Sequence, residues 1–222
     1  MTEYSLTRHA FIARRGDALV VLDLKNDEYV LLEGNLVDVL LRGEPATDKA
    51  LQDIDSLMAR GILTRNTKEG KPLRLTQREI ALDHLMNLPN DALSTRIGFR
   101  DYAKFIISCV WAAIQLRIFH VSRIVHRVES RKLRAEHPID LPRARMATGI
   151  FHKLRHLFPA NYLCLYDSLA LLEFLARYDV HPSWVFGVSL EPWGAHCWIQ
   201  EGPLIFNEDV EESANFTPVM IV

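Results

Sequence analysis

The chain has 222 residues, 49% of them hydrophobic and 24% charged, with a formal net charge of -2. That balance suits a globular protein with one substantial core, or a small domain joined to a larger one, and it excludes a global field that would draw the chain to nucleic acid or an anionic membrane. Three scattered cysteines, Cys109, Cys164 and Cys197, make neither a disulfide framework nor a CxxC metal pair. They point to a reducing, cytoplasmic setting, and the start of the chain lacks the basic and apolar regions of a secretory signal.

Two β-prone runs, His9 to Arg14 and Ala18 to Leu24, flank the turn Arg15-Gly16-Asp17 and predict a hairpin. A second turn at Lys25-Asn26-Asp27-Glu28 leads into Tyr29 to Leu32, which gives three antiparallel strands. Apolar residues are dense from Leu36 to Leu41. From Asp48 to Arg60 they fall at Ala50, Leu51, Ile54, Leu57 and Met58, one helical stripe with Thr47 or Asp48 to cap its start and Gly61 to mark its end. Three strands followed by short helices predict a compact winged-helix-like unit, too small to be comfortable alone. The polar run Arg65 to Pro72 reads as a linker, with the domain boundary near residues 65–85 and domains of 1–80 and 85–222.

Asp101 to Arg134 reads as one long helix. Its uncharged stretch Phe105 to Leu116 is too short to span a bilayer and predicts a buried helix of the core. Its basic later part (Arg117, Arg123, Arg127, Arg131, Lys132, Arg134) reads as a solvated face rather than a nucleic-acid stripe. Pro138 and Pro142 break this helix, and Arg143 to Leu157 starts another. A helix from Leu165 to Tyr178 then precedes short strands at Trp184 to Leu190, His196 to Gln200 and Leu204 to Phe206. The fold class is α+β.

Cys164 stands where the helix from Leu165 begins. A helix start carries partial positive charge and free N–H groups, which favour thiolate over thiol and can hold an oxyanion. His196, at the start of a strand after Gly194, is placed to meet a helix end, and strand alternation puts His196, Trp198 and Gln200 on one face with Cys197 and Ile199 on the other. Cys197 is thereby expected to point away. After Leu204 to Phe206 comes Asn207-Glu208-Asp209, a polar cluster able to hold the second imidazole nitrogen. Nucleophile, base and orienter in that chain order are the parts of a cysteine acyl-transfer site. Asn161 and Tyr162 stand near the nucleophile as oxyanion helpers, and Trp193 is placed to line a substrate groove. His152 and His156, four apart on a helix, lack the companion glutamate of a metal site, and no metal or cofactor is expected.

The stretches YLCLYDSLAL and PSWVFGVSLEPWGAHCWIQ, in this order and spacing, resemble the lasso-peptide maturation proteases, or B proteins, of the transglutaminase-like papain superfamily. The resemblance covers nearly the whole chain. It implies that Cys164 and His196 are catalytic and that an acid completes the triad, with Glu208 at the expected position and Asp209 one residue on. The segment HAFIARRGDALVVLDLKNDEYVLL is similar to the leader-recognition element fused to some of these proteases. That implies that Tyr29, Val30, Leu31 and Leu32 receive a leader peptide as an added strand, with Leu51, Ile54 and Met58 as pocket or core residues. The implied activity is ATP-independent hydrolysis of a precursor at the leader–core junction. The implied partners are the precursor's leader region and a macrolactam-forming cyclase, without nucleic acid or membrane. An amine acyltransferase using the same triad, or a scaffold that only docks leaders, stays open at this point.

Overall fold

The computed structural model describes residues 4–66, 68, 70–76, 81, 83–87, 96–135, 137–159 and 161–222. Thr67, Glu69, residues 77–80 and Leu82 of the expected linker lie outside the described residues. The architecture is mixed α+β, and the chain divides into two compact units. The first takes the described residues of Met1–Arg78 together with Gly187–Gly194 and Thr217–Ile221; the second takes the described residues of Glu79–Phe186 with Ala195–Phe216 and Val222.

In the first unit, β1 (Ser5–Leu6) precedes β2 (Ala10–Arg15), β3 (Ala18–Asp23) and β4 (Glu28–Leu32), followed by α1 (Asn35–Arg42), α2 (Asp48–Ala59) and β5 (Leu63–Thr64). Strands β2, β3 and β4 form an antiparallel sheet in that order, while β1 pairs with β5. Gly16 supplies the positive φ of 61° that the tight β2–β3 turn requires. The Thr47 side chain accepts from Ala50 N, capping α2 as read from sequence. The core gathers Ile12, Leu19, Val21, Leu36, Leu40 and Ile54 among others. Every residue of β3 is buried. Its second face is covered too, because β10 (Thr217–Ile221) packs on β2 and β3. Arg15 Nη1 donates to Thr217 Oγ1 at 3.1 Å, and Thr76 Oγ1 donates to the Val219 carbonyl.

The second unit opens with β6 (Asp83–His84) and a single 3-10 turn, then α3 (Phe99–Ile118), α4 (Val121–Leu133), α5 (Leu141–Arg155) and α6 (Cys164–Ala176). After them come β7 (Ser183–Leu190) and β8 (Trp193–Glu201), whose residues from Gly187 to Gly194 count with the first unit, then β9 (Leu204–Ile205) and the short α7 (Val210–Ala214). The main sheet runs β10-β7-β8-β9-β6, with β8 and β9 antiparallel and β6 parallel to β9. The single helix expected from Asp101 to Arg134 is two helices. Phe119 adopts extended angles (φ -107°, ψ 145°) and caps α3, and α4 restarts after His120. Helix α3 is also not buried all round. Phe105, Ser108, Cys109, Ala112 and Gln115 face the core, while the opposite side is open to solvent.

Helices α3, α5 and α6 pack through an aromatic cluster in which Phe105 meets Phe151, Phe158 and Phe174 edge-on, with centroids 5.5 to 6.3 Å apart. A polar network ties α3, α4 and α6 together. The nearly buried Glu173 accepts from Gln115 Nε2 and Arg131 Nη1, both at 3.1 Å. The basic run on α4 is therefore only partly a solvated face, since Arg131 serves this acid and Lys132 pairs with Glu201 at 3.4 Å. Among the described residues, no helix is long and apolar enough to cross a membrane.

The aromatic cluster centres on Phe105, which is 2% exposed. Phe105→Ala should lower the unfolding free energy by about 3–5 kcal/mol in a urea titration.

Candidate active site

The site is assembled where the start of α6 meets β8 and the turn after β9. Two surroundings fix Cys164 as the first residue of α6. Before it, the guanidinium of Arg155, almost buried, donates to the carbonyls of Phe158 (3.2 Å) and Asn161 (3.1 Å) and to the Asp167 carboxylate. The other oxygen of Asp167 accepts the Leu163 N–H at 2.8 Å. One Arg–Asp pair thus ties down the loop that leads into the nucleophile and the first turn of its helix. After it, the Ser168 hydroxyl donates to the Cys164 carbonyl (2.6 Å), accepts from Trp184 Nε1 (2.9 Å) and touches Cys197 Sγ at 3.4 Å. The N–H groups of Cys164 and Leu165 have no acceptor among the described residues, and the free donors of a helix start are what an oxyanion needs.

His196 Nε2 donates to Glu208 Oε2 at 2.7 Å, which leaves Nδ1 for the thiol of Cys164. The ring lies between Trp198, stacked at 6.1 Å, and Phe216 at 5.0 Å, so its orientation is set by packing as well as by the acid. Glu208 is itself anchored. Phe206 N donates to the Ile199 carbonyl at 3.0 Å, His152 Nε2 donates to the Phe206 carbonyl at 3.0 Å, and Asn207 Oδ1 accepts from Ile199 N at 2.8 Å. Of the two candidate acids, Glu208 makes the contact with His196. Asp209 is the N-cap residue of α7, and its N–H donates to Glu208 Oε1 at 3.1 Å.

Cys197 departs from the expectation that alternation turns it away. Helix α6 packs on the very face of β8 that carries Cys197, as the Ser168 contact shows, so its thiol and its backbone N–H both act on the Cys164 thiol and lower its pKa. These contacts dominate the electrostatics. The Cys197 thiol and then the His196 imidazole pull the Cys164 pKa down to about 4, outweighing burial. Cys197 rises well above its ordinary range, first through the same thiol pair and then through burial. Burial pushes His196 down, but the hydrogen bonds to Cys164 and Glu208 prevail and lift it to about 9. Glu208 is held below the usual carboxylate range by its bond to His196. The resting state is a thiolate–imidazolium pair, the form of cysteine that attacks carbonyl carbon without prior deprotonation.

Other candidates fall elsewhere. His152 supports the Phe206 carbonyl, and His156 bonds the Tyr162 hydroxyl at 2.9 Å, so the two histidines serve separate partners. Asn161 offers its carbonyl to Arg155. In the first unit, β4 is an edge strand of its sheet, with Leu31 on it and Leu51 on α2 exposed. Trp193 is half exposed and edge-on to Tyr29 at 6.1 Å. Val30 and Met58 are partly buried against the core, whereas Leu32 and Ile54 belong to the core itself and offer no accessible groove wall. Sequence reasoning missed Arg155, Asp167, Ser168 and Cys197 as site-building residues.

Burial raises the third thiol, Cys109, to about 11, so alkylation reads out Cys164 alone. Iodoacetamide should modify Cys164 at rates that rise through a midpoint near pH 4. A hydrogen bond to a charged group contributes about 1.5–3 kcal/mol, so Cys197→Ala should move that midpoint up by about one to two pH units.

A sequence model described as the Transglutaminase-like superfamily matches residues 106–221, more than half of the chain and all three residues of the Cys164, His196 and Glu208 constellation. No curated protein and no solved structure matches. That superfamily includes cysteine proteases and acyltransferases. The chain belongs to the Transglutaminase-like superfamily.

Proposed function

We propose that the protein is a cysteine endopeptidase of lasso-peptide maturation, which binds the leader of a precursor peptide and hydrolyses the leader–core bond in the cytoplasm. The observation that carries this reading is the imidazole of His196 between the Cys164 thiol and Glu208, the latter at 2.7 Å. The thiolate attacks the scissile carbonyl, and the N–H groups at the start of α6 hold the oxyanion. Collapse passes the His196 proton to the leaving amine, which departs as the free N-terminus of the core. A water then attacks the thioester, His196 takes its proton, and the leader leaves with a C-terminal carboxylate.

In this reading the N-terminal domain, residues 1–80, recognises the leader, and residues 85–222 form the protease domain. β4 stands at the edge of its sheet, where strand addition takes place, and the exposed Leu31 and Leu51 offer apolar contacts. A leader held there raises the effective concentration of the junction at the thiol, so a weak protease becomes selective. The released core passes to a cyclase.

The test is mass spectrometry on purified protein mixed with the precursor encoded beside its gene. Hydrolysis adds one water across the junction. A product carrying an added amine instead identifies an acyltransferase, and leader binding with no cleavage by wild type identifies a scaffold. Cys164→Ala should abolish cleavage while keeping leader binding. Glu208→Gln should lower kcat/KM at least about tenfold, with Asp209→Asn within a few-fold of wild type.

The pH profile follows from the pair. Below the lower limit Cys164 gains a proton and ceases to be a nucleophile; above the upper limit His196 loses the proton that the leaving amine requires. Cleavage should therefore rise through about pH 4 and fall through about pH 9. A single alkaline limb near the ordinary thiol range, with no activity at pH 6, would contradict the thiolate–imidazolium ground state.

A further inference from the structure

The open side of α3 is apolar along its whole length. Phe99, Ile106, Ile107, Val110, Ile114 and Ile118 leave between 37% and 87% of their surface accessible. At 100° per residue they fall within an arc of roughly 120°, a seam running about 30 Å along the helix. Phe105, Ser108, Cys109, Ala112 and Gln115 occupy the opposite arc and do all the core packing. Among the described residues, none of the seam residues belongs to the buried core. With Tyr102, it leaves roughly 700 Å² of apolar surface in water, above the largest patch of a typical monomer and close to the share one partner brings to a stable dimer.

We propose that this seam is a two-fold interface on which α3 of a second copy packs antiparallel across Val110. This inference is independent of the peptidase reading. Two features favour a copy of the same chain. The first is the match in area. The second is symmetry: about Val110, Ile106 mirrors Ile114 and Tyr102 mirrors Ile118, so the patch complements itself, as an isologous contact requires. A partner of different sequence has no need of that symmetry. Arg100 lies at the edge of the arc, and the charged residue inside it is Arg117. It mirrors Ala103, whose small side chain gives the guanidinium room beside Tyr102 of the other copy.

The experiment is sedimentation equilibrium of the full chain from sub-micromolar to hundreds of micromolar. The expected result is a reversible monomer–dimer equilibrium, in which Val110→Glu raises the dissociation constant at least about 100-fold. Its circular dichroism and Cys164 alkylation should stay at wild-type levels, since Val110 is on the exposed face. Separately, Val110→Cys should form an interchain disulfide on mild oxidation, because the two-fold brings residue 110 against itself. A monomer at every concentration overturns the proposal, and so does a dimer that Val110→Glu leaves unchanged. A monomer that instead co-sediments with phosphatidylglycerol vesicles assigns the seam to a lipid surface and likewise overturns it.

Discussion

Everything at the site depends on how α6 lies across β8. A helix laid on a sheet has two registers to satisfy, its own turn and the strand's pleat, and here one residue satisfies both. Ser168, one turn into α6, is held by Trp184 on β7 and touches Cys197 on β8. That contact fixes the helix along its axis and about it. Cys164, one turn earlier, then has a single place to be, over the Cys197 thiol and within reach of His196. A slip of one residue along β8 would put the neighbouring side chains under the helix and scatter the constellation.

A thiolate half removed from water is expensive unless its neighbours replace the lost hydration. Cys164 receives that replacement from donors that cost little to arrange, because other bonds already fix them. Cys197 is locked under α6, its backbone N–H is held by the strand, and His196 is gripped by an acid and two aromatic rings. The acid in turn sits on a turn tied by His152 and Asn207. Rigidity therefore passes outward from the sulfur through successive shells. The Arg155–Asp167 pair closes the remaining side by bracing the approach to the helix start.

Much of this was legible in the sequence, for local reasons. The hairpin around Gly16, the Thr47 cap and the strand runs from residue 183 to 205 obey short-range rules, and Cys164 at a helix start is a positional signal of the same kind. What escaped was decided by tertiary packing. Alternation along β8 sorts Cys197 and His196 to opposite faces but does not say which face α6 will choose. Arg155 and Asp167 are twelve residues apart, with a turn between them that periodicity does not reveal. The break at Phe119 carries neither Gly nor Pro, and β10 hides a proline at position 218, which argues against a strand in sequence. The uncharged run in α3 is not wholly buried, because low charge signals burial only on average. Here it belongs half to the core and half to an open face.

The first unit includes Thr217–Ile221 as well as its N-terminal strands and helices. On the ribosome, β2 and β3 emerge some two hundred residues before the strand that covers their second face. Until then Val20 and Leu22 have no roof, and the nascent sheet is a sticky surface that a chaperone or the rest of the chain must shield. Engineering inherits the same constraint. A fragment cut at residue 80 lacks its own lid, so the first unit taken from this protein needs residues 217–221 grafted back onto it.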